Sequence, residues 1–195
     1  MSNATPLHER QYNDYVVNVR IDRNEGPSGT TIIYFFLGDP PADVLQWETA
    51  PKVGMVTFMS GRGGLGGYGG DYGAASGGYG SARGEHNWQT GQTNITQVLI
   101  DLIESQKHIG GDVLRSLGRE EVGRFLHKHL RWPVVELGPR KVPFSRVPSM
   151  RVHVATSKVT LPETDSDFPT YGPYEIVGSA TKGRTCGYDP DVDEV

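Results

Sequence analysis

A single cysteine in 195 residues, Cys186, leaves this chain without an internal disulfide framework and without a zinc site built on thiolates. That scarcity makes a reducing, intracellular (cytoplasmic) compartment the expectation, and Met1 to Pro6 carries neither the charged nor the apolar part of a secretory signal. No apolar run approaches the ~18–20 residues of a membrane helix, so no membrane partner is expected. An excess of positive charge is missing as well. Nineteen Lys and Arg stand against 23 Asp and Glu, a net charge of −4, where a dedicated nucleic-acid binder should be basic somewhere. Hydrophobic residues reach only 36%, but 26 glycines depress that figure. Without them the remainder is an ordinary globular composition, long enough for one domain with a real core.

What is present is organised. Residues 1–10 are polar and read as a disordered N-terminus. From Tyr12 to Asp22, Tyr15, Val17, Val19 and Ile21 alternate with Val16, Asn18, Arg20 and Asp22, the period of a strand with one wet face. Thr30 to Leu37 is a second strand, apolar through its second half and therefore central, and Gly38 to Pro41 stops it. A third runs from about Lys52 to Met59. Between Gly61 and Gly84 lie 12 glycines in 24 positions, with Tyr68, Tyr72 and Tyr79 among them. Glycine loses the most freedom on folding, so this stretch reads as a flexible loop inserted within the domain.

Two helices are expected next. In the first, Asn94 caps, Gln97 sits three residues on, and Ile95, Val98, Leu99, Leu102 and Ile103 form an i, i+3, i+4 stripe ended by Gly110-Gly111. The second spans Arg119 to Leu130, with Val122, Phe125, Leu126 and Leu130 on one face. Strands follow at Val134 to Leu137, Met150 to Val159 and Tyr174 to Val177. Residues 181–195 form a tail whose end, from Asp189, is acidic and reads as disordered. The fold class is mainly β (α+β): a compact antiparallel β-sandwich or barrel with two short helices and a glycine-rich insertion.

The residues that carry chemistry elsewhere assemble nothing here. Gly61 to Gly66 satisfies G-x-G-x-x-G but runs into more glycine, whereas the motif needs a helix whose amides hold a pyrophosphate. The same stretch has only Arg62 and Arg83 to meet phosphates, too few for RNA. His127 and His129, two apart on a helix, diverge by about 200° and cannot clamp one metal; both are assigned to the surface or rim. Asn94-Ile95-Thr96 is a glycosylation sequon, but Asn94 reads as a helix cap. Asp189, Asp191 and Asp193 lack the glycine and distant glutamate of a calcium loop. No catalytic residue and no metal ligand is assigned.

Several stretches, in order, resemble the C-terminal domain of fungal tyrosinases, part of the type-3 copper oxidase family. They are Tyr12 to Arg20, Tyr34 to Pro40, Trp47 with Ala50-Pro51, Val56 to Phe58, Asn94 to Thr96, Glu120 to Leu126, Leu130 to Trp132, Arg151 to Val154 and Pro169 to Tyr174. Phe36-Leu37-Gly38-Asp39 after an aromatic strand is the most specific piece, and the resemblance covers about residues 11–180. It implies a lid that covers the entrance of a copper-binding catalytic domain and keeps it latent. It also implies a bulky side chain filling the phenol pocket as a placeholder. By position after the third strand Phe58 is the candidate, its other reading being a core residue of that strand. Tyr68, Tyr72 and Tyr79 are the alternatives.

Two departures from the family matter. The Cys-x-x-Cys pair that many members carry after the placeholder is absent, which removes a thiolate route for Cu(I). The copper domain itself is also missing, so no cofactor is expected in this chain, copper belonging to the partner domain in cis or in trans. The resemblance therefore implies an accessory domain with no activity of its own. The alternative is an autonomous β-sandwich that binds carbohydrate or protein through Tyr68, Tyr72 and Tyr79.

Overall fold

The structure is a computed structural model, described for residues 11–22, 29–59, 88–138, 140–164, 166–191 and 193. Strand β1 (Gln11–Asp22) behaves as its alternation predicts: Tyr15, Val17, Val19 and Ile21 face the core and are buried. Its partners on either side are β4 (Trp88–Asn94) and β8 (Arg151–Thr160), both antiparallel. The short strands β9 (Thr170–Tyr171) and β10 (Glu175–Ile176) complete the first sheet along β8.

Strand β2 (Thr30–Leu37) is central in the second sheet, as its unbroken apolar half requires. It lies between β3 (Gly54–Met59) and β6 (Val134–Glu136), with β5 (Leu130–Arg131) also on β2 and β7 (Arg140–Val142) beyond β6. Ile33 and Phe35 point into the main core. Tyr34 and Phe36 point the other way and pack edge-on against Trp47, with centroids 5.9 Å apart in both pairs. The indole Nε1 donates to Pro41 O at 2.7 Å, so this second, smaller core is anchored by its polar handle. Gly38, at φ +86°, makes the turn that ends β2.

The two sheets approach most closely where β3 meets β4. A Cβ on Gly91 would lie 2.2 Å from Val56 Cγ1, and one on Gly54 2.2 Å from Thr93 Oγ1. Glycine at both positions is what lets these strands close over the core. Sequence pattern missed β4 altogether. Its residues, Trp-Gln-Thr-Gly-Gln-Thr-Asn, have no apolar alternation, and only pairing with β1 makes them a strand.

The helices α1 (Thr96–Ser105) and α2 (Arg119–His129) pack on the same core through Leu99 and Leu102, and through Val122, Phe125 and Leu126. The N-cap of α1 is Ile95, which makes no side-chain capping bond, rather than the expected Asn94. Asn94 ends β4, and its Oδ1 accepts from Thr96 N at 2.9 Å from one position upstream of the cap. Gln97 instead bonds Asp101, and α1 ends at Gln106 in a left-handed conformation (φ +48°), before the glycine pair. The acidic tail needs correction too. Asp193 accepts from Arg151 Nε at 2.7 Å and from Asp189 N at 2.9 Å, and Lys182 bridges Asp189 at 3.6 Å. Ion pairing folds this part of the tail onto the domain rather than leaving it solvated.

Candidate functional site

Phe58 does not project. It lies on the inward face of β3, opposite Thr31 of β2, only 5% exposed and part of the main core. Of its two readings, placeholder or core residue of the third strand, the position it occupies is that of a core residue: alternation along β3 sends Met55, Thr57 and Met59 outward and Phe58 inward. Tyr68, Tyr72 and Tyr79, with the whole 61–84 segment, lie outside the described residues.

The polar centre of the domain is Asp14, a carboxylate only 4% exposed. Its Oδ1 accepts from Asn94 Nδ2 at 2.8 Å and from Thr96 Oγ1 at 2.6 Å, and its Oδ2 from Tyr174 OH at 3.0 Å. Three side chains from β4, α1 and the segment before β10 thus converge on one buried charge, the arrangement a buried carboxylate requires. Burial, followed by this carboxylate, pushes the Tyr174 phenol up to about 12. Among the described residues the side-chain partners of Asp14 are one amide and two hydroxyls, which it ties together across three elements. It is a structural hub.

His129 corrects the surface assignment made for it. It is 7% exposed, lies against Phe125 with centroids 4.8 Å apart, and its Nε2 is 2.8 Å from Asp112 Oδ2. Hydrogen bonds from His129 and then Lys128 hold the Asp112 carboxyl below the usual carboxylate range. His127, on the diverging side of α2, is exposed. His153 on β8 has its pKa lowered by burial, then by Arg20. Burial raises the half-buried Cys186 thiol. Among the described residues no group of three or more His, Cys, Asp or Glu side chains is placed to hold a metal ion.

Cavities are shallow and mixed in character. One of about 480 Å³ lies along α2, lined by Asp112, Glu121, Arg124, Phe125, His127 and Lys128. A second of about 480 Å³ follows the outer face of the first sheet, past Asn18, Gln92, His153 and Tyr174. A third, of about 490 Å³, holds Arg184 stacked 4.0 Å over Trp132, and burial followed by the neighbouring Arg131 lowers that guanidinium to about 10. Arg184 also donates to Leu126 O near the end of α2, so it acts as a helix terminator.

The surface is more informative than the cavities. Leu161, Phe168, Tyr171 and Tyr174 are exposed in or beside the segment joining β8 to β10, Phe168 to 88%. On the outer face of the second sheet Leu45, Met55, Met59 and Leu137 are exposed. The arrangement offers contact surface and no assembled acid, base or nucleophile among the described residues. Phe168 was overlooked in the sequence, although an aromatic residue followed by proline inside a polar stretch, Glu163 to Pro169, is a signal that loops use for binding.

A family model described as the tyrosinase C-terminal domain matches residues 14–154. A Neurospora crassa tyrosinase is 27% identical over 187 residues, covering 93% of this chain and 24% of that protein. Recombinant mushroom tyrosinase superposes with a TM-score of 0.52 at 15% identity, over 85% of this chain and 24% of the mushroom chain. A crystal structure of coexisting latent and active mushroom tyrosinase gives 0.53 at 16% identity, over 85% and 25%. At such identities the mushroom structures show a shared fold. The chain spans about a quarter of the length of these relatives.

Proposed function

Because this chain belongs to the family of tyrosinase C-terminal domains, we propose that it is a regulatory lid: it covers the dicopper site of a tyrosinase and holds that enzyme latent, in cis or in trans. The observation that carries the reading is the family match over residues 14–154, on a chain that corresponds to only a quarter of its tyrosinase relatives. One of the similar mushroom structures contains latent and active forms, which fits a domain whose position governs access.

In this reading copper belongs to the partner domain. The described histidines do not converge, and His129 is already engaged by Asp112, so the described residues make a poor copper ligand set. Its own contribution is steric: an apolar surface that excludes phenols and water from a cavity built for aromatic substrates. With Phe58 in the core, the placeholder is assigned to Tyr68, Tyr72 or Tyr79 of the segment that follows β3. This is also an assignment of no independent activity.

The test is a graft. The segment of Neurospora crassa tyrosinase that this chain matches is replaced by the 195-residue chain, and monophenol oxidation is measured before and after limited proteolysis. A latent chimera released by proteolysis is the expected result. Full turnover before proteolysis, in a chimera that carries copper, would overturn the lid assignment. Replacing Tyr68, Tyr72 and Tyr79 together by alanine should raise turnover in the uncleaved chimera.

A further inference from the structure

We propose that the partner domain seats on the aromatic ridge of Leu161, Phe168, Tyr171 and Tyr174, with Phe168 as its anchor. This inference rests on the lid reading and specifies which face of the lid is the docking face. Phe168 is 88% exposed, Tyr171 57%, Tyr174 50% and Leu161 43%, all between the end of β8 and the start of β10. Thr160 pairs with Thr170 and Val159 with Tyr171, so Leu161 and Phe168 flank the mouth of the β8–β9 hairpin next to Tyr171, with Tyr174 just before β10 on the same edge of β8. Exposed apolar side chains gathered this way mark a contact surface.

The ridge is preorganised. Pro162, Pro169 and Pro173 restrict the backbone of the segment. Thr164 Oγ1 donates to Asp167 Oδ2 at 2.9 Å immediately before Phe168. Gly172 N donates to Lys158 O at 2.9 Å, Ser157 Oγ donates to Gly172 O at 2.7 Å, and Tyr174 OH is tied to buried Asp14. These bonds fix the segment on both sides of Tyr171. An aromatic ring held in place before binding loses little freedom on docking, and this is how hot-spot residues act.

Position identifies the occupant. In a domain that is C-terminal in its family, a catalytic part joined in cis would stand ahead of β1, which begins at Gln11. Tyr12 on β1 is in register with Val159 on β8, and Val159 with Tyr171 on β9. Two strand spacings, about 10 Å, therefore separate the entry of β1 from the ridge. A catalytic domain joined there reaches this ridge without a long linker. The exposed carboxylates of Glu163 and Asp167 border the ridge, which makes a basic rim around an apolar socket the matching partner surface. The exposed leucines and methionines of the second sheet lack aromatic anchors of this kind, and Leu45 and Leu137 instead line a cavity of about 240 Å³.

The experiment uses the same chimera with two double variants. F168A/Y171A should raise monophenol turnover of the uncleaved chimera by about tenfold or more, as loss of an interface anchor does, with its thermal unfolding midpoint unchanged. L45A/L137A should leave it latent. Latency that survives F168A/Y171A but is lost in L45A/L137A would overturn the assigned face and leave the lid reading standing. A copper-loaded chimera that is active without any substitution would overturn both. Self-association of the isolated chain that F168A/Y171A abolishes, with chimera latency unaffected, would make the ridge a dimer surface and overturn the proposal.

Discussion

Replacing Phe58 by alanine separates a core residue from a projecting one. The ring is 5% exposed and packed among the inward residues of both sheets, so removing it strips about 150 Å² of apolar contact from the core. At roughly 25 cal/mol per Å² the transfer term alone is about 3.7 kcal/mol. Measured Phe→Ala costs of about 3–5 kcal/mol agree, the spread reflecting how far the cavity collapses. For a chain of this length each kcal/mol lowers the melting temperature by roughly 2–4 °C, which gives a fall of about 10 °C. Urea or thermal unfolding followed by far-UV circular dichroism reads this directly. Met59, one residue on and 68% exposed, is the control, and Met59→Ala should stay within about 0.5 kcal/mol of the parent. If Phe58→Ala unfolds like the parent while the latent chimera becomes active, the ring is a placeholder after all and the core argument fails.

Three further outcomes follow from the same structure. Gly91→Ala should destabilise by about 1–3 kcal/mol through collision with Val56, and Val56→Ala in the same chain should recover part of that loss in a double-mutant cycle. Asp14→Ala should cost about 3 kcal/mol, mostly at Thr96, which is buried and loses its charged acceptor, whereas Tyr174 is half exposed and can turn to water; chemical denaturation measures it. His153 is held neutral by burial, so its folded pKa lies below the 6.5 of the unfolded chain. The unfolded state then binds the extra proton first, and stability should fall as pH drops below about 6.5. His153→Gln should flatten that part of the stability-pH profile, and an unchanged slope would remove His153 as its source.

Much of this domain is set by local pattern. The alternation of β1 and the apolar run of β2 fix strands with defined inner faces, and the stripes of α1 and α2 fix which sides they bury. The ordered motifs from Tyr12 to Tyr174 carry the family resemblance, and the family model matches residues 14–154. Long-range packing decided the rest. The polar β4 is a strand only because β1 and the close passage at Gly91 make it one, and no period in its seven residues reveals that. Phe58 and Phe168 are the same amino acid, yet one is sealed in the core and the other stands in water. Burial belongs to neighbours distant in sequence, so the choice between core ring and docking anchor was made by the tertiary structure.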